Sequence, residues 1–253
     1  MSFIFVFIFI LGLILGSFFN VVGLRVPLKK SIVFPGSSCS FCSRQLKPSE
    51  LIPVASYLFQ GGRCRGCKAM ISPIYPLIEL GTGLLFGSAP LLLGWTSELL
   101  VAWTLTSLII IIVVSDIMYM IIPNKILVVF SVVFLLERIF IPLDPWFDSI
   151  YGAAGGFALL LFIAVISKGG MGGGDIKLYA VIGFVIGTKL MLLSFFIATL
   201  YGALFGLLAL ISGKVKKGSA IPFGPFIGAG TLTSYYFGVP IINQYLQWLS
   251  SGF

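Results

Sequence analysis

Long uninterrupted apolar runs dominate this chain, and they restrict it to folds whose helices satisfy their own backbone groups inside lipid. The first run, residues 3–24, is long enough to cross hydrocarbon, which takes roughly 20 residues at about 1.5 Å each. No positive residue precedes it and it exceeds a signal h-region, so it is expected to be a retained helix. Further runs cover 74–94, 99–119, 126–141, 150–167, 176–187, 190–212 and 221–239, each bounded by charge, Pro or Gly. The expected fold is an all-α polytopic membrane protein of about eight transmembrane helices. The count becomes seven if the short run 176–187, joined to the next by Thr188–Lys189, is re-entrant. Its organisation reads as a first transmembrane helix over 1–24, a small cytoplasmic tetracysteine loop domain over 25–73, and a transmembrane core over 74–253.

Composition agrees, since 58% of the 253 residues are apolar, only 9% are charged, and the mean hydropathy is +1.12. Sixteen Lys and Arg against eight Asp and Glu leave a formal charge of +8. In such a chain the excess belongs to loops facing anionic lipid and the cytoplasm, which argues against a nucleic-acid partner. Arg25, Lys29, Lys30, Arg44, Lys47, Arg63, Arg65 and Lys68 crowd the first loop. With eight spans that loop is inside with Lys125, Lys168, Lys177, Lys214, Lys216 and Lys217, leaving only Arg138 and Lys189 outside. The absence of histidine excludes Ser-His-Asp and Cys-His catalysis and histidine-ligated metal hydrolysis.

All four cysteines lie in the one sizeable water-facing segment, as Cys39-x2-Cys42 and Cys64-x2-Cys67. Two such knuckles in a short loop have the spacing of tetrahedral zinc ligands. Two disulfides are the alternative, and the reducing compartment implied by the loop's orientation favours zinc. A site with four thiolates is closed, so it predicts a structural role, holding together a loop with little core.

Chemistry falls to the carboxylates. Asp116 closes the apolar run 109–115, and Asp175 opens a helix after a glycine-rich stretch over 169–174. Each alone is equally an ordinary helix-end carboxylate, but acids at matching membrane depth suggest a functional pair. Two carboxylates in a poorly solvated cleft share a proton, so that one activates water while the other protonates a carbonyl. The helix dipole favours the anion at Asp175. Gly172 and Gly174, lacking Cβ, permit close approach by a substrate backbone or form a plain turn. The segment 221–225, with Pro222 and Gly224, either lines a buried cleft or serves as a helix-entry turn. A proton-coupled transporter or channel with an acidic relay is the rival reading, and a zinc scaffold that recruits partners is a third. Trp95, Trp103, Trp146 and Trp248 fit an interfacial belt, and Gly12-x3-Gly16 permits close helix packing.

The motif set comprises Gly16-Ser17-Phe18-Phe19-Asn20-Val21-Val22 with Arg25 and Pro27, and the double CxxC loop with Gly62-Arg63-Cys64-Arg65. It continues through Ile71-Ser72-Pro73-Ile74-Tyr75-Pro76 and Glu79 to Asp116 with Ile122-Pro123-Asn124. Gly172-Gly173-Gly174-Asp175-Ile176-Lys177-Leu178 and Ile221-Pro222-Phe223-Gly224-Pro225 complete it. In this order the set resembles the bacterial type IV prepilin peptidases, intramembrane aspartic enzymes of the GxGD type. The resemblance implies cleavage of prepilins or pilin-like pseudopilins after a short basic leader, on the cytoplasmic side of the bacterial inner membrane. It implies Asp116 and Asp175 as the catalytic pair; Gly172, Gly174, Pro222 and Gly224, from the residue reading above, and Lys177, which can tune Asp175 electrostatically, are the candidates for bordering substrate. Many members of that family also methylate the new N-terminus from S-adenosylmethionine, which directs attention to Arg25 and Glu79. The segment Ser49-Glu50-Leu51-Ile52-Pro53 departs from the family's pattern, as does Asn124, where many members carry Asp.

Overall fold

The computed structural model describes residues 2–168, 170–213 and 221–251, so Gly169, Lys214, Lys216 and Lys217 lie outside the described residues. Among the described residues the protein is helical, with two isolated β-bridges in the cysteine loop. The helices are α1 (Ser2–Arg25), α2 (Ala55–Phe59), α3 (Ile74–Leu93), α4 (Glu98–Tyr119), α5 (Asn124–Phe140), α6 (Asp148–Ile166), α7 (Gly173–Ile211) and α8 (Gly224–Ser251). Five of them, α1, α3, α4, α6 and α7, are long and apolar enough to cross a bilayer. At 17 residues α5 falls outside that set, as does α8.

Local chemistry sets the boundaries. α3 stops at Gly94, whose φ of 69° a glycine adopts without strain, and α4 stops before Met120 at φ 53° and Pro123. Pro123 in extended conformation then caps the start of α5. α8 begins at Gly224, inside the expected run, and continues past Pro240 to Ser251, well beyond residue 239. An interior proline deletes one intrahelical hydrogen bond and can kink a helix without ending it.

The chain forms two compact units, one up to Met118 and one from Tyr119 onward. In the first, α1 packs along α3. A Cβ on Gly12 would lie 2.8 Å from the Gly83 Cα, and one on Gly16 2.9 Å from the Glu79 Cα, so this small-residue stripe serves packing within the chain. Trp103 of α4 stacks on Phe86 of α3 and donates its Nε1–H to the Phe86 carbonyl at 3.1 Å, a role for this tryptophan inside the bundle.

In the second unit α7 carries a sharp break at Gly187, with φ 77° and ψ 173°. The Tyr179 and Phe195 rings meet at 5.8 Å. In a straight helix those residues would stand about 24 Å apart, so the chain folds back at Gly187 into a helical hairpin. Its first arm, 173–186, spans about 21 Å and its second, 188–211, about 36 Å. This reversal accounts for the two adjoining apolar runs that meet at Thr188–Lys189.

A one-residue turn leaves helix-end carbonyls and N–H groups without intrahelical partners. Two charged residues supply them. Buried Arg138 of α5 donates from Nε (2.9 Å) and Nη2 to the Val185 carbonyl at the end of the first arm. Asp148 at the start of α6 accepts the Thr188 N–H at 3.2 Å and its hydroxyl at 2.6 Å, capping the second arm. Arg138→Met is expected to strand the Val185 carbonyl at a cost of about 1–3 kcal/mol. A lower unfolding midpoint in detergent and faster amide exchange over 183–190 would report it, whereas Lys189→Met, on an exposed neighbour, should change neither.

Candidate active-site residues and the tetracysteine centre

The loop between α1 and α3 is built from two copies of one turn. In the first, the Cys39 N–H donates to the Arg44 carbonyl and the Ser43 N–H to the Cys39 carbonyl. In the second, the Cys64 N–H donates to the Ala69 carbonyl and the Lys68 N–H to the Cys64 carbonyl. Ser43 (φ 56°) and Lys68 (φ 60°) occupy the same left-handed position in each, and the bridges Ser38–Gln45 and Arg63–Met70 close the two turns. These turns aim backbone N–H groups at the leading sulfur, those of Cys42 and Phe41 at Cys39 and those of Cys67 and Gly66 at Cys64.

The turns bring all four sulfurs together within 4.8 Å of one another, with Cys39 and Cys67 Sγ at 3.8 Å, and all four cysteines are unbridged. This cluster could hold a metal ion. The N–H groups of Cys67 and Gly66 draw the Cys64 thiol down to about 6. Cys67 receives the Ala69 N–H, which favours its thiolate, yet desolvation and the neighbouring sulfurs push it up to about 11. Four thiols so close cannot all ionise without a cation among them, and a bound metal removes that conflict.

Arg44 ties the centre to the rest of the loop. It forms a bidentate pair with Glu50, at 2.7 and 3.1 Å, while the Lys47 N–H donates to the same carboxylate at 2.9 Å. Arg44 and then the Lys47 N–H hold the Glu50 carboxyl at about 2. On its other side Arg44 faces the Cys64 thiol, which it favours as thiolate, and its buried Nε finds no nitrogen or oxygen partner. Sequence reasoning missed this pair, although Glu50 is the sole acid between residues 25 and 72. That solitude was the available signal.

The other expected site residues have distinct surroundings. Arg25 donates to the carbonyls of Ser31 (3.0 Å) and Gly36 (3.2 Å), shaping the loop after α1. Glu79 is buried in α3 and accepts the Val54 N–H at 2.7 Å, where Val54 holds a φ of 59° at the entrance to α2. Asn20 is buried beside them, donating to the Tyr75 carbonyl at 3.2 Å while its Oδ1 has no partner.

Asp116 is buried in the last turn of α4, just before the chain leaves the helix at Met120. Asp175 lies half-buried in the first turn of α7, where its Oδ2 accepts the Gly172 N–H at 3.2 Å. A carboxylate there is favoured by the helix N-terminus. Gly174 admits the Ile122 side chain so closely that a Cβ would sit 2.8 Å from the Ile122 Cβ. Lys177 points from α7 to the Asn124 Oδ1 of α5 at 3.1 Å, at a cavity of about 450 Å³ lined mainly by Leu127, Val128, Phe157, Ala180 and Val181. Pro222 is half-buried in the segment before α8, and Gly224 is the buried first residue of that helix.

These features define a multi-pass helical membrane protein with a tetracysteine module between its first two long helices. Residues 10–92 match the Bacterial Peptidase A24 N-terminal domain, and residues 103–207 match the Type IV leader peptidase family. The chain is 48% identical to a Prepilin leader peptidase/N-methyltransferase of Bacillus subtilis over 95% of its own length and 97% of the relative. It is 32% identical to the protein of that name from Pseudomonas aeruginosa, over 94% and 92% of the two chains. No solved structure matches it. The chain belongs to the type IV leader peptidase family. All four cysteines fall within the first matched region, and Asp116 and Asp175 both fall within the second.

Cys64→Ser is expected to abolish bound divalent metal and to speed amide exchange throughout 38–70, leaving exchange over 173–211 unchanged. Elemental analysis of the purified chain beside exchange mass spectrometry checks both.

Proposed function

We propose that this protein is an intramembrane aspartic endopeptidase that removes the short basic leader from type IV prepilins or pilin-like pseudopilins. The observation that carries this reading is the 48% identity across nearly the whole of a relative named for that activity. Asp116 and Asp175 are the proposed catalytic carboxylates. One takes a proton from water as the oxygen adds to the scissile carbonyl carbon, and the other gives its proton to the carbonyl oxygen. Collapse of the resulting gem-diol breaks the C–N bond: the departing amine takes the proton held by the first carboxyl, and one diol hydroxyl returns a proton to the second as the product carboxylic acid forms. The helix-start position of Asp175 supports its role as the anion that receives the first proton. Gly172, Gly174, Lys177, Pro222 and Gly224 border the substrate in this reading.

The metal is proposed to be structural zinc, held by Cys39, Cys42, Cys64 and Cys67. Zn–S bonds of about 2.3 Å give tetrahedral S···S edges of roughly 3.8 Å, a spacing that the Cys39 and Cys67 sulfurs already hold. The basic crowding of the first loop supports a cytoplasmic position for that module and for both acids, in a bacterial inner membrane. Eight spans follow if α5, α8 and both arms of the α7 hairpin cross. The relatives' shared name supports a second activity, methylation of the new N-terminus from S-adenosylmethionine in the first-loop region of Arg25 and Glu79.

Coexpression with a pilin precursor, followed by intact-mass measurement, tests the proposal. Wild-type protein should release the leader and add the mass of one methyl group. Asp116→Asn and Asp175→Asn should each slow cleavage on the order of 10²–10⁴-fold while retaining bound metal. Persistent cleavage by both variants would falsify the catalytic assignment.

A further inference from the structure

The module between α1 and α3 carries a feature that neither metal binding nor leader cleavage uses. Leu58 and Phe59, at the end of the five-residue helix α2, are 70% and 87% exposed. Phe59 forms the lip of a cleft of about 490 Å³ whose other walls are Gln60, Arg63, Cys64, Arg65 and Lys68. Three cations therefore converge beside a bare aromatic ring. Glu50, the only acid in residues 25–72, is hydrogen-bonded to Arg44 and also acts on Arg65, so a single carboxylate of this loop serves four cations and leaves the cleft net positive.

The depth of α2 indicates what faces the cleft. Its entrance is fixed by the Val54 N–H to Glu79 bond, and Glu79 lies five residues inside α3, a helix of membrane-spanning length. Because helical side chains lean toward the N-terminus, that carboxylate places the start of α2 beside the first turns of α3. Leu77 and Leu84 on α3 are 64% and 57% exposed, as lipid-facing side chains would be. The loop is also tethered at both ends to long apolar helices, α1 and α3, which hold it at the bilayer surface.

We propose that α2 and the second cysteine turn form an interfacial lipid site, in which Leu58 and Phe59 enter the headgroup–acyl boundary and Arg63, Arg65 and Lys68 bind the phosphate of an anionic phospholipid. Apolar side chains at the interface settle about 5–10 Å into that boundary, which suits a segment beside the first turns of a membrane-spanning helix. Each Lys or Arg at an anionic surface adds about a fivefold factor in affinity, so three together give on the order of a hundredfold. The same charge would repel a basic leader, which assigns this surface to lipid and not to that part of the substrate. The site itself rests on the chain being membrane-spanning, and only the exclusion of the leader as its occupant rests on the proposed function.

The test uses full-length protein in nanodiscs of phosphatidylcholine alone or mixed with phosphatidylglycerol, which expose both faces of the bilayer and remove any dependence on orientation. Amide exchange over 55–68 should slow with phosphatidylglycerol. Native mass spectrometry should show retained phosphatidylglycerol, with affinity falling on the order of a hundredfold in the Arg63→Gln, Arg65→Gln, Lys68→Gln triple variant. Phe59→Ser, at a site too exposed to unfold the module, should weaken retention as well, and unchanged metal content in both variants confirms their folding. Equal protection in pure phosphatidylcholine would overturn the proposal, as would retention indifferent to both variants. Protection produced in phosphatidylcholine by inorganic phosphate would point to a free-anion site, and protection by polyglutamate to an acidic protein partner. Leader removal assayed on the same preparation separates failure of this site from failure of the peptidase reading.

Discussion

Every backbone polar group at membrane depth needs a partner, and this chain meets that requirement at its helix interruptions by assigning scarce charged side chains to backbone atoms. Arg138 serves the carbonyl that the Gly187 turn exposes, and Asp148 serves the N–H on the other side. Glu79 receives the N–H of Val54, Arg25 binds the carbonyls of Ser31 and Gly36, and Asp175 accepts from Gly172. With only 9% of residues charged, Arg25, Arg138, Asp148 and Asp175 all stand in the first or last turn of a helix, and Glu79 in the second turn of α3. Their arrangement permits sharp turns, and sharp turns bring short segments of irregular backbone to defined positions.

The helices were largely legible in the amino-acid order because their boundaries are made by local chemistry. Gly94 closes the run 74–94, α4 ends with its run at Tyr119, α5 starts at Asn124 directly after Pro123, and the paired runs around Thr188 correspond to the two arms of the hairpin. The extension of α8 past Pro240 was not legible, since a proline permits either a stop or a kink and packing decides between them. The partners of Arg138 were also invisible. Its acceptor at Val185 is 47 residues away, and nothing local distinguishes a buried capping arginine from one facing water.

The cysteine centre was legible as a ligand set but not as a repeat. Spacing of two residues between cysteines identifies each turn, whereas the shared left-handed positions at Ser43 and Lys68 carry no glycine to announce them. The Arg44–Glu50 pair escaped for a related reason, since ion pairs across a loop obey no spacing rule. For the two acids, local placement at helix ends followed from the surrounding pattern. Their assignment to hydrolysis draws instead on membership of the family, because burial and a capping hydrogen bond suit a structural carboxylate equally well.

The single-residue reversal at Gly187 has a geometric corollary for the chain before it. A connection with no slack turns the first arm into a ruler measured from the clamped tip back to Gly173. One residue added to that arm would advance its far end by about 1.5 Å and rotate it by about 100°, re-aiming Asp175 and Lys177 together. Side-chain substitutions along the arm leave that measure intact, while insertions and deletions alter it. Length, more than composition, is therefore the property of this segment on which the aim of Asp175 depends.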